Sequence, residues 1–145
     1  MRRLVPLFLL LALVACDPIV MIPGGQLSGE VTPAPDNWAF TDATDTFQLE
    51  TRPSDPYSVN VWAIAIDDSI YVVAGSGMET TWAQHIANDD RVRLRVGEAL
   101  YELRASEDKT EESRDTFLAA AKRKYDFDSE GEDVEEAMLF RLDSR

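Results

Sequence analysis

Residues 91–106, RVRLRVGEALYELRAS, constrain the fold of this 145-residue chain more than any other stretch. Val92, Leu94 and Val96 alternate strictly with Arg91, Arg93 and Arg95, so an extended strand turns one apolar face inward and one charged face outward. A helix would scatter the same residues around its circumference. Gly97-Glu98 then supplies a tight turn into ALYELRAS (99–106), and the two runs make a β-hairpin.

Other segments carry the same period. TDTFQLET (44–51) reads as a half-buried strand. VNVWAIAI (59–66) sets Val59, Val61, Ala63 and Ala65 on one side, with Asn60, Trp62, Ile64 and Ile66 on the other. The turn Asp67-Asp68-Ser69 leads from it into IYVVA (70–74) as a second hairpin. Gly75-Ser76-Gly77 ends that strand, and METTWAQHIAND (78–89) spaces Met78, Trp82 and Ile86 four apart as a short amphipathic helix. A second helix is expected after Asp108 as cap, with Glu111 reaching back. Its stripe is Phe117, Ala121 and Tyr125, and Lys122, Arg123 and Lys124 sit at its negative C-terminal end. The acidic run DFDSEGEDVEE (126–136) lacks the spacing of a calcium loop and reads as a solvated charge run before a last strand, AMLFRLDSR. The expected fold class is mainly β with two helices (α+β), a small antiparallel barrel.

The N-terminus is of another kind. Arg2 and Arg3 precede eleven apolar residues, Leu4 to Val14, which suits an export signal and is too short to span a bilayer. Leu13-Val14-Ala15-Cys16 resembles a bacterial lipobox, in which cleavage falls just before a lipidated cysteine. This resemblance implies a signal peptide over 1–16, lipidation of Cys16 with palmitate-type chains, and a lipoprotein of the cell envelope anchored to the inner or outer membrane. Asp17 resembles the inner-membrane retention signal of enteric bacteria. Cys16 is the only cysteine, so the chain can build neither an intramolecular disulfide nor a Cys-rich zinc site.

Residues 17–36, with four prolines and three glycines, read as a flexible tether, which leaves 37–145 as one domain. Removal of 1–16 takes away two arginines and no acid, leaving 12 basic against 27 acidic residues and a formal charge of −15. Such a surface repels phosphate-rich partners, and no nucleic-acid role is expected.

The succession IYVVAGSG, METTW, WAQHIANDDRVRLRV, ALYELRA, KRKY and MLFRL resembles the flavin-binding split β-barrel proteins, in particular the pyridoxamine phosphate oxidase-like and deazaflavin-dependent nitroreductase-like groups. The resemblance implies a split β-barrel over about residues 44–143, a homodimer, and a site for FMN or the deazaflavin F420, with heme a more distant option. In the nitroreductase-like group a basic loop, Thr-x-Gly-Arg-Lys-Ser-Gly, holds the cofactor phosphate. Thr51-Arg52-Pro53-Ser54-Asp55-Pro56-Tyr57 stands there instead. Arg52 and Ser54 keep the chemistry for phosphate, whereas two prolines remove backbone donors and Asp55 adds a negative charge.

A second contact would come from Gly75, Ser76, Gly77 and Trp82, where a glycine turn opens a helix, although Glu79 lies close to any anion placed there. Trp38, Trp62 and Trp82 invite a ring-stacking reading in which Trp62 and Trp82 would wall the cofactor ring, although core filling is the commoner role for tryptophan. His85 has the chemistry of an acid–base group or heme ligand, but it borders the buried stripe without a partner triad, which favours packing. The expected function is an anchored binding or scaffold module with a degenerate cofactor site. The alternative is an FMN- or F420-dependent oxidoreductase acting on a small molecule.

Overall fold

The computed structural model describes residues 22–130 and 134–145. The signal segment 1–16 and Cys16 lie outside the described residues. The chain runs β1 (Glu30–Val31), β2 (Phe47–Thr51), β3 (Tyr57–Val61), β4 (Ala63–Ile66), β5 (Ser69–Ala74), α1 (Thr81–Asn88), β6 (Arg91–Val96), β7 (Ala99–Glu107), α2 (Glu111–Tyr125) and β8 (Met138–Ser144). Short 3-10 turns at Ala39–Ala43 and Gly77–Glu79 precede β2 and α1. The strands form one sheet in the order β3-β2-β6-β7-β8-β5-β4, antiparallel throughout, with β1 added in parallel against the start of β7. Its two edge strands, β3 and β4, are consecutive in the chain, so the sheet curls into a half-barrel. This is the split β-barrel, mostly β with two helices.

The hairpin expected from RVRLRVGEALYELRAS forms as read, Val96 opposite Ala99 and Leu94 opposite Tyr101, with Gly97 at φ +60° in its turn. The single strand expected over 59–66 is divided at Trp62. Val59 and Val61 pair with Leu49 and Phe47 of β2, whereas Ala63 and Ala65 pair with Val72 and Ile70 of β5. The bend at Trp62 hands the backbone from one part of the sheet to the other while the side-chain alternation continues. Periodicity therefore does not reveal it.

Two further boundaries differ from expectation. The first helix starts at Thr81, because Gly77 at φ +52° and an extended Thr80 interrupt the path from Met78, which is left exposed. The cap of α2 is Thr110, whose hydroxyl accepts from the Ser113 amide at 3.3 Å. Asp108 lies too early and accepts instead from the Thr110 amide and hydroxyl, at 3.0 and 2.8 Å. These bonds hold its carboxyl below the usual carboxylate range.

Two apolar clusters hold the molecule. Phe47, Leu49, Ile70, Leu94, Leu103 and Leu142 are completely buried in the barrel, each contributing about 2 kcal/mol by removal from water. On the outer face Ile64, Tyr71 and Leu139 pack under Phe117 and Ala121 of α2, with Tyr125 and Phe127 against the same cluster.

Within the segment expected as a tether, the described residues from 22 onward lie on the barrel. Gly24 exchanges backbone hydrogen bonds with Ser58 at 2.8 and 2.9 Å. Leu27 is buried, and its amide donates to Glu50 Oε2 at 2.6 Å. Arg93 grips Glu50 with two bonds of 2.9 and 2.7 Å and reaches the Leu27 carbonyl at 3.3 Å. The Glu30 and Thr32 amides donate to the carbonyls of Glu98 and Leu100. One buried leucine and a two-residue strand leave no period for a sequence reading to find.

Candidate functional site

α2 crosses the outer face of the sheet and meets the Trp62 bend beside a cavity of about 550 Å³. Phe117, Leu118 and Ala121 of α2 roof it, Val73 of β5 and the Gly75-Ser76 turn form one wall, and Trp82 of α1 lies behind them. Trp62 and Phe127 close the near side. Trp62 is 40% exposed, stacks on Tyr125 at 4.7 Å with ring planes 7° apart, and meets Phe127 edge-on at 5.5 Å. The Tyr125 hydroxyl is committed, donating to the Ala63 carbonyl at 3.1 Å and accepting from the Ala63 amide at 3.3 Å. Burial pushes that phenol's pKa up. The bend is thus clamped to the helix, and the Trp62 ring is presented on a fixed support.

The lining carries no charged side chain among the described residues. Arg114 lies at a small adjoining recess, where its guanidinium donates to the Val134 and Ala137 carbonyls. The basic last turn of α2 faces elsewhere. Lys124 donates to the carbonyls of Thr41 and Ala63 at 3.0 and 3.2 Å and sits 4.8 Å from the Phe47 ring centre. Burial lowers its pKa, with Asp42 and Asp45 opposing. Arg123 borders a separate depression shared with those same two acids.

The structure divides the six residues named for cofactor binding. Trp62, Ser76 and Trp82 line the cavity. Gly77 does not; its left-handed backbone is pressed against the Glu136 carbonyl, where a Cβ atom would collide. Arg52 and Ser54 occupy the β2–β3 turn, outside that lining. Arg52, at φ +56°, bonds Asp55 through its side-chain carboxylate at 3.0 Å and its carbonyl at 2.7 Å. Its Nη1 lies 3.3 Å from His85 Nε2. A guanidinium can only donate, so Nε2 accepts and Nδ1 carries the proton, which is shared with the buried Thr51 hydroxyl at 2.9 Å. Burial first, and the Arg52 charge second, lower the pKa of His85, against the pull of Asp55. His85 also meets the Tyr57 ring edge-on at 5.1 Å. His85 is thus held by Thr51, Arg52 and the Tyr57 ring beside the β2–β3 turn.

Trp38 fills the barrel core edge-on to Tyr101. No group of three or more metal-ligating side chains occurs among the described residues. The sequence reading missed part of the cavity lining. Leu118 and Phe127 gave no separate signal, since the first falls outside the Phe117-Ala121-Tyr125 stripe and the second sits inside an acidic run.

Residues 39–139 match the model of a family described as "Uncharacterized protein conserved in bacteria (DUF2255)". No curated protein matches the sequence. Among solved structures the chain is similar to a candidate pyridoxamine 5'-phosphate oxidase from Listeria innocua, with TM-score 0.57 and 13% identity over 72% of this chain and 86% of that one. It is similar to a conserved hypothetical protein from Mycobacterium tuberculosis, with TM-score 0.58 and 16% identity over 73% and 76%. It is also similar to the heme storage protein HutZ from Vibrio cholerae, with TM-score 0.56 and 16% identity over 73% and 85%. At these identities the likeness is one of fold.

Proposed function

The chain belongs to the DUF2255 family of bacterial proteins, and from that premise and the split-barrel fold we propose that it is a ligand-binding module of the cell envelope, anchored through lipidated Cys16 and without catalysis of its own. The observation that carries the reading is the separation of the two halves of the expected cofactor site. Trp62, Ser76 and Trp82 border the cavity, while Arg52, expected to hold a phosphate, is spent on Asp55 and His85. A catalytic flavin needs its phosphate fixed so that the ring is held in one orientation, and the cavity lining supplies no cation for this. The net charge of −13 also discourages anionic cofactors. The module is expected to act as a homodimer.

The test is an absorbance spectrum of the full chain purified in detergent, alone and during titration with FMN, F420 and heme. The expected result is a spectrum free of chromophore and no uptake of any of the three at micromolar concentration. Stoichiometric flavin retained through purification would replace this reading with the oxidoreductase, and Arg52→Ala would then identify the phosphate contact.

A further inference from the structure

Resting on the binding-module reading, we propose that the cavity beneath α2 selects flat apolar ligands by charge, taking neutral or cationic ring systems and excluding those that carry a phosphate or carboxylate.

Shape is the first ground. A cavity of about 550 Å³ walled by Trp62, Trp82, Phe117 and Phe127 offers ring faces and edges on several sides, which suits a fused-ring molecule better than a flexible chain. Trp62 is preorganised by the parallel stack on Tyr125, and Tyr125 is fixed by its two bonds to Ala63. Such a ring costs little to immobilise when a ligand arrives.

Charge is the second. An anion entering the cavity gives up water and meets no charged side chain in the described lining, and the guanidinium of Arg114 in the adjoining recess is directed at the Val134 and Ala137 carbonyls. Acidic residues flank several of the lining positions in the sequence. Phe127 stands between Asp126 and Asp128, Val134 is followed by Glu135 and Glu136, and Asp45 borders the depression on which Trp62 also abuts. A cationic ring gains from these carboxylates and from the tryptophan and phenylalanine faces.

Riboflavin and FMN carry the same ring and differ by one phosphate, and proflavine adds a cation to a ring of similar size. Equilibrium dialysis of all three against the full chain, read also by quenching of the dye fluorescence, tests the proposal. Riboflavin should bind at least about tenfold tighter than FMN, and proflavine at least as tightly as riboflavin. Trp62→Ala should weaken riboflavin about tenfold; the lost Tyr125 stack should also lower the melting temperature, while the far-ultraviolet circular dichroism spectrum stays that of the folded chain. Ser76→Lys should narrow the gap between riboflavin and FMN by placing a cation at the wall.

FMN bound as tightly as riboflavin would overturn the charge selection while leaving a ligand-binding module in place. Absence of binding by all three dyes would overturn both. Binding that vanishes as the protein self-associates would assign the cavity to a second copy of the chain, and would likewise overturn the proposal.

Discussion

At the scale of single residues, His85 ties the barrel mouth to pH. Its folded pKa is depressed, so as pH falls through the ordinary histidine value of about 6.5 the unfolded chain takes up a proton that the folded one resists, and stability falls with pH there. Urea unfolding at pH 7.5, 6.5 and 5.5 should show that decline, and His85→Gln should remove part of its slope. Gly77→Ala should lower the melting temperature by several degrees, because a Cβ there meets the Glu136 carbonyl and alanine resists φ +52°. Legibility at this scale was uneven. Trp62 and Trp82 were readable as candidate site residues because a large aromatic in a strand face or a helix stripe is conspicuous, and both border the cavity. The partners of Arg52 were not, since the two contacts that occupy it depend on a left-handed turn and on a histidine 33 residues away.

At the scale of elements, the β6–β7 hairpin was legible because its apolar residues alternate and its glycine turn is short. The break between β3 and β4 was hidden because the alternation runs through it. Only the hydrogen-bond partners change there, from β2 to β5. The cap of α2 was displaced by two residues. Asp108 and Thr110 both suit a cap, and what decides between them is that the helix begins at Glu111. Thr110→Ala should cost about 1 kcal/mol, read as a shift in thermal melting followed by circular dichroism. Glu50→Gln tests the strap ahead of β1. It leaves the Arg93 guanidinium without its counter-charge in a largely buried place, at a cost of about 3 kcal/mol, and should raise hydrogen exchange at the Leu27 amide. Unchanged protection at Leu27 would shift the credit to the Gly24–Ser58 and Glu30–Glu98 bonds.

At the scale of the whole molecule, fold class was legible from periodicity alone, whereas the cavity was not, because it arises where α2, α1 and the Trp62 bend converge from distant parts of the chain. No helix among the described residues is long and apolar enough to cross a membrane, and the anchor proposed for the chain is the lipid on Cys16. Cys16→Ser should move the chain from the membrane to the soluble fraction on centrifugation of lysed cells. The docked strap has a mechanical consequence. A pull on the chain ahead of Ile22 meets the barrel first where Gly24 bonds Ser58 of β3, and only after that contact at Leu27 and Glu30. Because β3 also carries Asn60 and Val61 of the cavity wall, tension on the N-terminal side reaches the tryptophan pocket through the strand that Gly24 grips.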